Sequence, residues 1–169
     1  GSLSNFAGGI LILILKPFVV GDYVSACGCE GTVAVISLFY TTLHTVDNRN
    51  VVLPNGSLSN SNITIYSANQ IRRVDMSVDV GYGSDLKKAR EVIMDILNKD
   101  ERILKDPAPI VAVDNLGDSG VNVLIRPWVK CEDYWAVKWS VLEAVHNRLN
   151  AEQIDIPFPQ MTVHLDQNS

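Results

Sequence analysis

The sequence predicts an α+β chain: an apolar N-terminal helix, a run of short strands forming a small barrel or sandwich, and an α/β unit that ends in a strand. Three observations carry this. Residues 7–15 contain no charge, and Ile10-Leu11-Ile12-Leu13-Ile14-Leu15 is apolar on every face of a helix, the pattern of a segment buried in protein or lipid. Residues 23–66 are short β-branched runs separated by Gly, Asn and Asp turn signals, the spacing of a small all-β unit. From Val74 onward, period-two alternation and helical periodicity follow each other as β-α-β-β-α-β, the ferredoxin-like split unit.

Each element has its own signals. Pro17 ends the first helix because it cannot continue the hydrogen-bond ladder, and Gly21-Asp22 turns the chain. Strands are expected at residues 23–26, 32–38, 41–46, 51–53 and 62–66, broken by Cys27-Gly28-Cys29-Glu30-Gly31, Asp47-Asn48-Arg49-Asn50 and Pro54-Asn55-Gly56. In residues 74–80, Val74, Met76, Val78 and Val80 share one face and Asp75, Ser77 and Asp79 the other. Ser84 or Asp85 can cap a helix over residues 86–98, with Leu86, Ala89, Ile93, Ile96 and Leu97 as its buried stripe. Strands follow at residues 110–114 and 121–129. A helix is expected over residues 134–151, with Trp135, Trp139, Leu142, His146 and Leu149 at helical spacing, and a last strand over residues 161–165.

Bulk composition bounds the function. The chain has 169 residues, 47% hydrophobic and 20% charged, enough for one large or two small domains with a real core. A net charge of −5 argues against a general nucleic-acid binder, and no nucleic-acid partner is expected. Three cysteines in a chain of this length fit a reducing compartment better than a secreted disulfide framework. The apolar N-terminal stretch lacks the basic leader and cleavage site of a signal peptide. Residues 3–15 fall short of the ~20 residues that span a bilayer. They read either as a buried element of a soluble domain or as the end of a membrane helix, with Lys16 snorkelling at the water edge.

No catalytic constellation stands out, and the chain is not expected to be an enzyme. His44, His146 and His164 lie far apart without a carboxylate or cysteine at ligand spacing, and no metal or cofactor is expected. Cys27-Gly28-Cys29 lacks the second cysteine pair of a zinc site and reads as two thiols at a hairpin tip. Gly81-Tyr82-Gly83-Ser84-Asp85 joins a strand to a helix, but it lacks the third glycine of a dinucleotide loop and the lysine of a phosphate loop. Arg72-Arg73 is the densest basic spot; it reads as a solvated face, a salt-bridge donor or an interdomain contact.

An ordered set of short motifs adds to this. Gly1-Ser2-Leu3-Ser4-Asn5-Phe6-Ala7-Gly8-Gly9 resembles the lower half of the pore-lining helix in the small-conductance mechanosensitive channel family. Lys16-Pro17-Phe18 and Gly21-Asp22-Tyr23-Val24 are similar to that family's turn out of the membrane. Gly31-Thr32-Val33, Thr41-Thr42, Asp47, Val52-Leu53-Pro54-Asn55-Gly56 and Asn62-Ile63 are similar to its β domain. Arg72-Arg73, Ser84-Asp85, Asp100-Glu101-Arg102-Ile103-Leu104, Leu116-Gly117 and Pro157-Phe158-Pro159-Gln160-Met161 continue the match over nearly the whole chain.

The resemblance implies a pore-helix fragment, a small Sm-like β barrel, a ferredoxin-like α/β domain and a C-terminal strand, over residues 1–16, 17–67, 68–158 and 159–169. It implies a homoheptamer in the bacterial inner (plasma) membrane. The cytoplasmic parts form a hollow cage, and the pore passes ions and small solutes on hypo-osmotic shock. The lipid bilayer is met through transmembrane helices that precede this stretch, and the gate lies above it. Pore-helix coupling is then expected at Asn5, Gly8, Gly9, Lys16, Asn55 and Gly56, with Asn5 and Asn55 acting together. Portal or interdomain charge is expected at Arg72, Arg73 and Asp75, and the inter-subunit barrel at Met161, Val163 and Leu165. The acidic excess of 19 over 14 basic residues favours cations. The loop with Cys27 and Cys29 and the segment Val19-Val20 depart from the family pattern. The alternative is a soluble oligomeric binding module for RNA or a small ligand.

Overall fold

The computed structural model describes residues 1–165. Pro17 has the expected effect: helix α1 (Ser2–Leu15) stops one residue before it, at Lys16. Lys16 adopts the left-handed conformation (φ 47°, ψ 54°) and donates its backbone N–H to the Ile12 carbonyl at 2.9 Å. That left-handed cap satisfies a carbonyl the last turn would leave open. Ile12 is buried, whereas Leu3, Leu11, Leu13, Ile14 and Leu15 are exposed.

The chain falls into two compact units, Gly1–Gln70 and Ile71–Ser169. In the first, α1 precedes β1 (Tyr23–Ala26), β2 (Cys29–Ile36), β3 (Tyr40–His44), β4 (Asn50–Pro54), a short helix α2 (Asn55–Ser59) and β5 (Ile63–Ile65). All neighbours are antiparallel in the order β4-β3-β2-β1-β5. No described pairing joins β4 to β5, so the expected barrel is an open sheet. A bulge between Val33 and Val35 shifts the register of β2 on β3 and turns Val35 outward. Alternation places Val24, Ala26, Val33, Leu43 and Leu53 on one face, where Phe18, Ile12 and Leu58 cover them.

Pro54-Asn55-Gly56, read from sequence as a break, instead opens α2. Pro54 serves as its N-cap in extended conformation, φ −63° and ψ 131°. Five residues do not sustain a helix alone; α2 persists because Leu58 is buried in the core and α1 lies against it.

The second unit contains β6 (Ile71–Arg73), β7 (Met76–Val80), α3 (Leu86–Lys99), β8 (Ile110–Leu116), β9 (Val121–Arg126), β10 (Trp128–Lys130) and α4 (Tyr134–Ala151), with a 3₁₀ turn at Cys131–Asp133. The antiparallel sheet runs β7-β9-β8, and β6 pairs separately with β10. Asp85 caps α3 as expected, accepting the Lys88 N–H at 3.1 Å. The expected single strand over residues 121–129 is split by Pro127, which has no N–H to give the ladder; its carbonyl instead accepts from Val74 N at 2.8 Å. That junction also separates β7 from β6, a strand over Ile71–Arg73 that the sequence reading did not expect, and shortens the expected strand over residues 74–80 to Met76–Val80.

Two further expectations are corrected. On α4 the buried row is Val137, Val141, Val145 and Leu149, whereas Trp135, Trp139 and His146 face outward. The valines four residues apart are buried in the core of the second unit. Among the described residues, 161–165 pair with no strand, so the sixth element of the β-α-β-β-α-β unit is not in the sheet.

Candidate functional site

The densest convergence of sequence-singled residues is where α1 lies on α2 and the β2–β3 turn. Gly8 and Gly9 are buried on α1. A Cβ on Gly8 would stand 2.5 Å from the Asn55 carbonyl oxygen, and one on Gly9 would overlap the Leu38 carbonyl oxygen. From the other side, a Cβ on Gly56 would meet Ser4 Oγ at 2.6 Å. The three glycines therefore let backbone lie on backbone, which no other residue permits at these positions.

Polar groups fix the seat. Asn55 is fully buried, and its amide meets the obligation burial imposes. Thr41 Oγ1 donates to Asn55 Oδ1 at 2.8 Å, and Asn55 Nδ2 donates to the Ser37 carbonyl at 2.8 Å. The Asn55 backbone N–H goes to the Phe39 carbonyl at 2.9 Å. Asn5 Oδ1 accepts the Gly56 N–H at 3.0 Å. The structure thus brings Asn5 against Gly56 and next to Asn55, but the Asn55 side chain points into the sheet rather than to Asn5. Phe6 and Phe39 close the junction with ring centroids 5.9 Å apart. Ser37, Leu38 and Thr41 were not singled out for this site. Thr41 carried a signal: it alternates with Leu43 on the core face, where a hydroxyl needs a partner. Lys16 stands at the other end of α1 and is exposed.

The charged trio sits in the second unit. Arg73 clamps Asp75 with Nε–Oδ1 at 2.6 Å and Nη2–Oδ2 at 3.0 Å, and Arg126 Nε lies 3.8 Å from Asp75. The hydrogen bond from Arg73 is the main cause that holds the Asp75 carboxyl below the ordinary aspartate value; burial opposes it, and the charges of Arg73 and Arg126 add to the lowering. Arg73 is raised in turn by the Asp75 hydrogen bond. Arg72 lies over the Tyr134 ring, 3.9 Å from its centroid, a cation–π contact. Met161, Val163 and Leu165 are exposed and pair with no strand among the described residues; Ser119 Oγ anchors the start of this tail by accepting from Gln160 N at 3.0 Å.

A second clamp ties the end of α3 to α4. Arg102 grips Asp100 with contacts of 2.8 and 2.6 Å and reaches Ser140 Oγ at 2.8 Å. The Arg102 hydrogen bond is the main cause that depresses the Asp100 carboxyl, whose side chain is 17% exposed. A depressed carboxylate contributes stability that is present above the unfolded value, about pH 4, and lost as pH falls through the folded value, because the unfolded chain then binds more protons. Asp100→Asn is therefore expected to lower the urea midpoint at pH 7 and to flatten its fall below about pH 4. Parallel wild-type and variant curves in acid would contradict this.

Among the described residues, no helix is long and apolar enough to cross a membrane. Residues 1–68 match the family model described as "Mechanosensitive ion channel, beta-domain", and residues 74–156 match "Mechanosensitive ion channel MscS, C-terminal". The small-conductance mechanosensitive channel of Edwardsiella ictaluri is 40% identical over 167 residues, covering 99% of this chain and 58% of that protein. Its namesake from Helicobacter pylori is 38% identical over 162 residues, covering 95% and 59%. The crystal structure of Helicobacter pylori MscS in the closed state matches with a TM-score of 0.93 at 36% identity, covering 98% of this chain and 66% of that one. The chain thus spans somewhat under three-fifths of the length of these two curated relatives. These matches place it among ion-channel proteins rather than in an enzyme class. It belongs to the mechanosensitive ion channel MscS family.

Proposed function

We propose that this chain is the lower pore helix and cytoplasmic cage of a channel that opens under membrane tension and releases ions and small solutes on hypo-osmotic shock. The whole protein is a homoheptamer of the bacterial inner membrane. Helices preceding α1 meet the bilayer, and the part described here is cytoplasmic. The observation that carries the reading is the two-sided character of α1. One side is seated through Gly8 and Gly9 on the Leu38 and Asn55 backbone, and the other leaves Leu3, Leu11, Ile14 and Leu15 uncovered. An apolar helix face of this kind calls for lipid or further copies of itself.

Within this reading residues 1–16 are the pore segment, 17–67 the β domain, 68–158 the α/β domain and 159–169 the barrel strand. Asn5, Gly8, Gly9, Lys16, Asn55 and Gly56 couple pore helix to sheet. Arg72, Arg73 and Asp75 contribute portal charge, with Arg73 and Asp75 largely cancelling each other. Met161, Val163 and Leu165 alternate along an edge that other copies of the chain can pair. The test is a full-length channel carrying this chain, produced in bacteria without their own mechanosensitive channels. It should restore survival of osmotic downshock, show tension-gated conductance in patches, and give seven subunits by native mass spectrometry in detergent. Survival no better than an empty vector, with a monomeric mass, would overturn the proposal.

A further inference from the structure

Two thiols that the channel reading leaves without a role share one hairpin tip. β1 and β2 are joined by Cys27 and Gly28 alone, and Ala26 pairs with Cys29 across the ladder. Both loop residues have positive φ, 53° at Cys27 and 75° at Gly28, as in a type I′ hairpin. Glycine takes such a position without steric cost, but cysteine does not, and Asn, Asp or Gly is the usual first residue. Turn formation alone therefore does not account for Cys27. A Cβ on Gly28 would meet nothing within 4 Å, so the tip is open. Cys27 is exposed, and Cys29 is partly covered where it packs on the core of the sheet. Cys27 Sγ donates to Ser61 Oγ at 3.6 Å. Ser61 stands just before β5, whose Ile63 pairs with the same Ala26 that faces Cys29. Both thiols thus lie at one end of the sheet, beside the exit from α2.

We propose that Cys27 and Cys29 form a reversible dithiol–disulfide pair that exchanges with low-molecular-weight disulfides such as oxidised glutathione. Two trans peptide steps place their Cα atoms at most about 7.2 Å apart when extended, and a tight turn brings them into the range of roughly 4.4–6.8 Å that a disulfide bridges. The single residue inside the ring is glycine, the one that yields most readily as the ring closes. The exposed Cys27 thiolate attacks one sulfur of glutathione disulfide. That S–S bond breaks, a mixed disulfide forms, and one glutathione leaves as thiolate and takes up a proton. The Cys29 thiolate then attacks the Cys27 sulfur and expels the second glutathione. In sum, two protein thiols are oxidised to one disulfide while one glutathione disulfide is reduced to two thiols. A disulfide in so small a ring is strained and more oxidising than a structural one, so it stays open in a thiol-rich compartment and closes under oxidative load. Closure draws Cys27 Sγ away from Ser61, whose own hydroxyl donates to the Leu58 carbonyl at the end of α2.

The purified chain is equilibrated across a series of reduced and oxidised glutathione, quenched in acid, alkylated and mapped by peptide mass spectrometry. Alkylation of Cys27 and Cys29 is expected to fall together, by at least about tenfold from the reducing to the oxidising end. The peptide joining them should be lighter by two hydrogens, while Cys131 stays alkylated throughout. Cys29→Ser should instead accumulate a glutathione mixed disulfide on Cys27, and Cys27→Ser should show no linked loss. The inference is overturned if wild-type Cys27 and Cys29 respond independently, if Cys27 stops at the mixed disulfide, or if the disulfide joins Cys131 or a second chain.

Discussion

Replacing Gly9 by alanine is expected to loosen α1 from the sheet, although the same change favours helix formation in isolation. In a helix interior, alanine is better than glycine by about 1 kcal/mol. Against this, the new methyl would overlap the Leu38 carbonyl oxygen and stand 2.8 Å from Asn55 Nδ2. Neither neighbour can step aside cheaply. Hydrogen bonds from Ser37 N to the Tyr40 carbonyl and from Asn55 N to the Phe39 carbonyl pin the turn, each at 2.9 Å, and the Asn55 amide is held by Thr41 and Ser37. Overpacking against fixed backbone costs about 1–3 kcal/mol or more, so the steric cost wins. The net cost is about 1–2 kcal/mol, so hydrogen exchange at the Gly56 N–H, which Asn5 protects, should speed up by about fivefold to thirtyfold. Gly83→Ala is the control, since a Cβ there meets nothing within 4 Å, and exchange at Gly56 should not change. Slower exchange in Gly9→Ala would mean that propensity outweighs packing and that the seat yields.

The elements that sequence alone locates are those with strong local causes. Pro17 stops α1, Asp85 caps α3, and β-branched runs between turn signals place β1 to β5 within a few residues. What was not legible depends on tertiary partners. α2 has no helix signal of its own, and Leu58 burial and the α1 seat stabilise it. The outward Trp135 and Trp139 share helical spacing with Leu149 as readily as the valines do, and only the sheet beneath α4 decides which row is covered. Pro127 is a visible breaker, but the alternation of Val121, Val123 and Ile125 with polar or longer residues runs up to it and masks the break. Residues 161–165 alternate well, but alternation does not choose a partner: among the described residues β7 and β8 each keep an open edge, and the segment pairs with neither. At the site, Gly8, Gly9, Asn5 and Asn55 were found through resemblance. The Leu38 carbonyl could not have been, because any residue supplies one and only the fold brings it to Gly9.

Asn55 and Asn5 are expected to separate stability from coupling, because the structure gives them different work. Asn55 is fully buried and joins Thr41, Ser37 and the Phe39 carbonyl. In Asn55→Ala the buried Thr41 hydroxyl is left without its partner, and the part-buried hydrogen bond to the Ser37 carbonyl is lost. An unsatisfied buried hydroxyl costs about 1–3 kcal/mol and a lost hydrogen bond about 0.5–1.5 kcal/mol, so a loss of roughly 2–4 kcal/mol in unfolding free energy is expected. Thr41→Val removes one of these bonds while nearly keeping the volume, and should cost less. Because the two side chains touch, the double variant should fall short of the sum, with a coupling of roughly 0.5–3 kcal/mol. Asn5→Ala removes only the acceptor for the Gly56 N–H at the helix junction, and should cost about 0.5–1.5 kcal/mol. In the full-length channel the order should reverse with respect to specificity. Asn5→Ala leaves the sheet intact and severs one hydrogen bond between α1 and α2, so recovery after sustained tension should change while subunit stability falls by less than in Asn55→Ala. Urea titration of the chain and patch recordings of the channel measure the two quantities separately. Wild-type recovery in Asn5→Ala, or an Asn55→Ala chain as stable as wild type, would remove this division of labour.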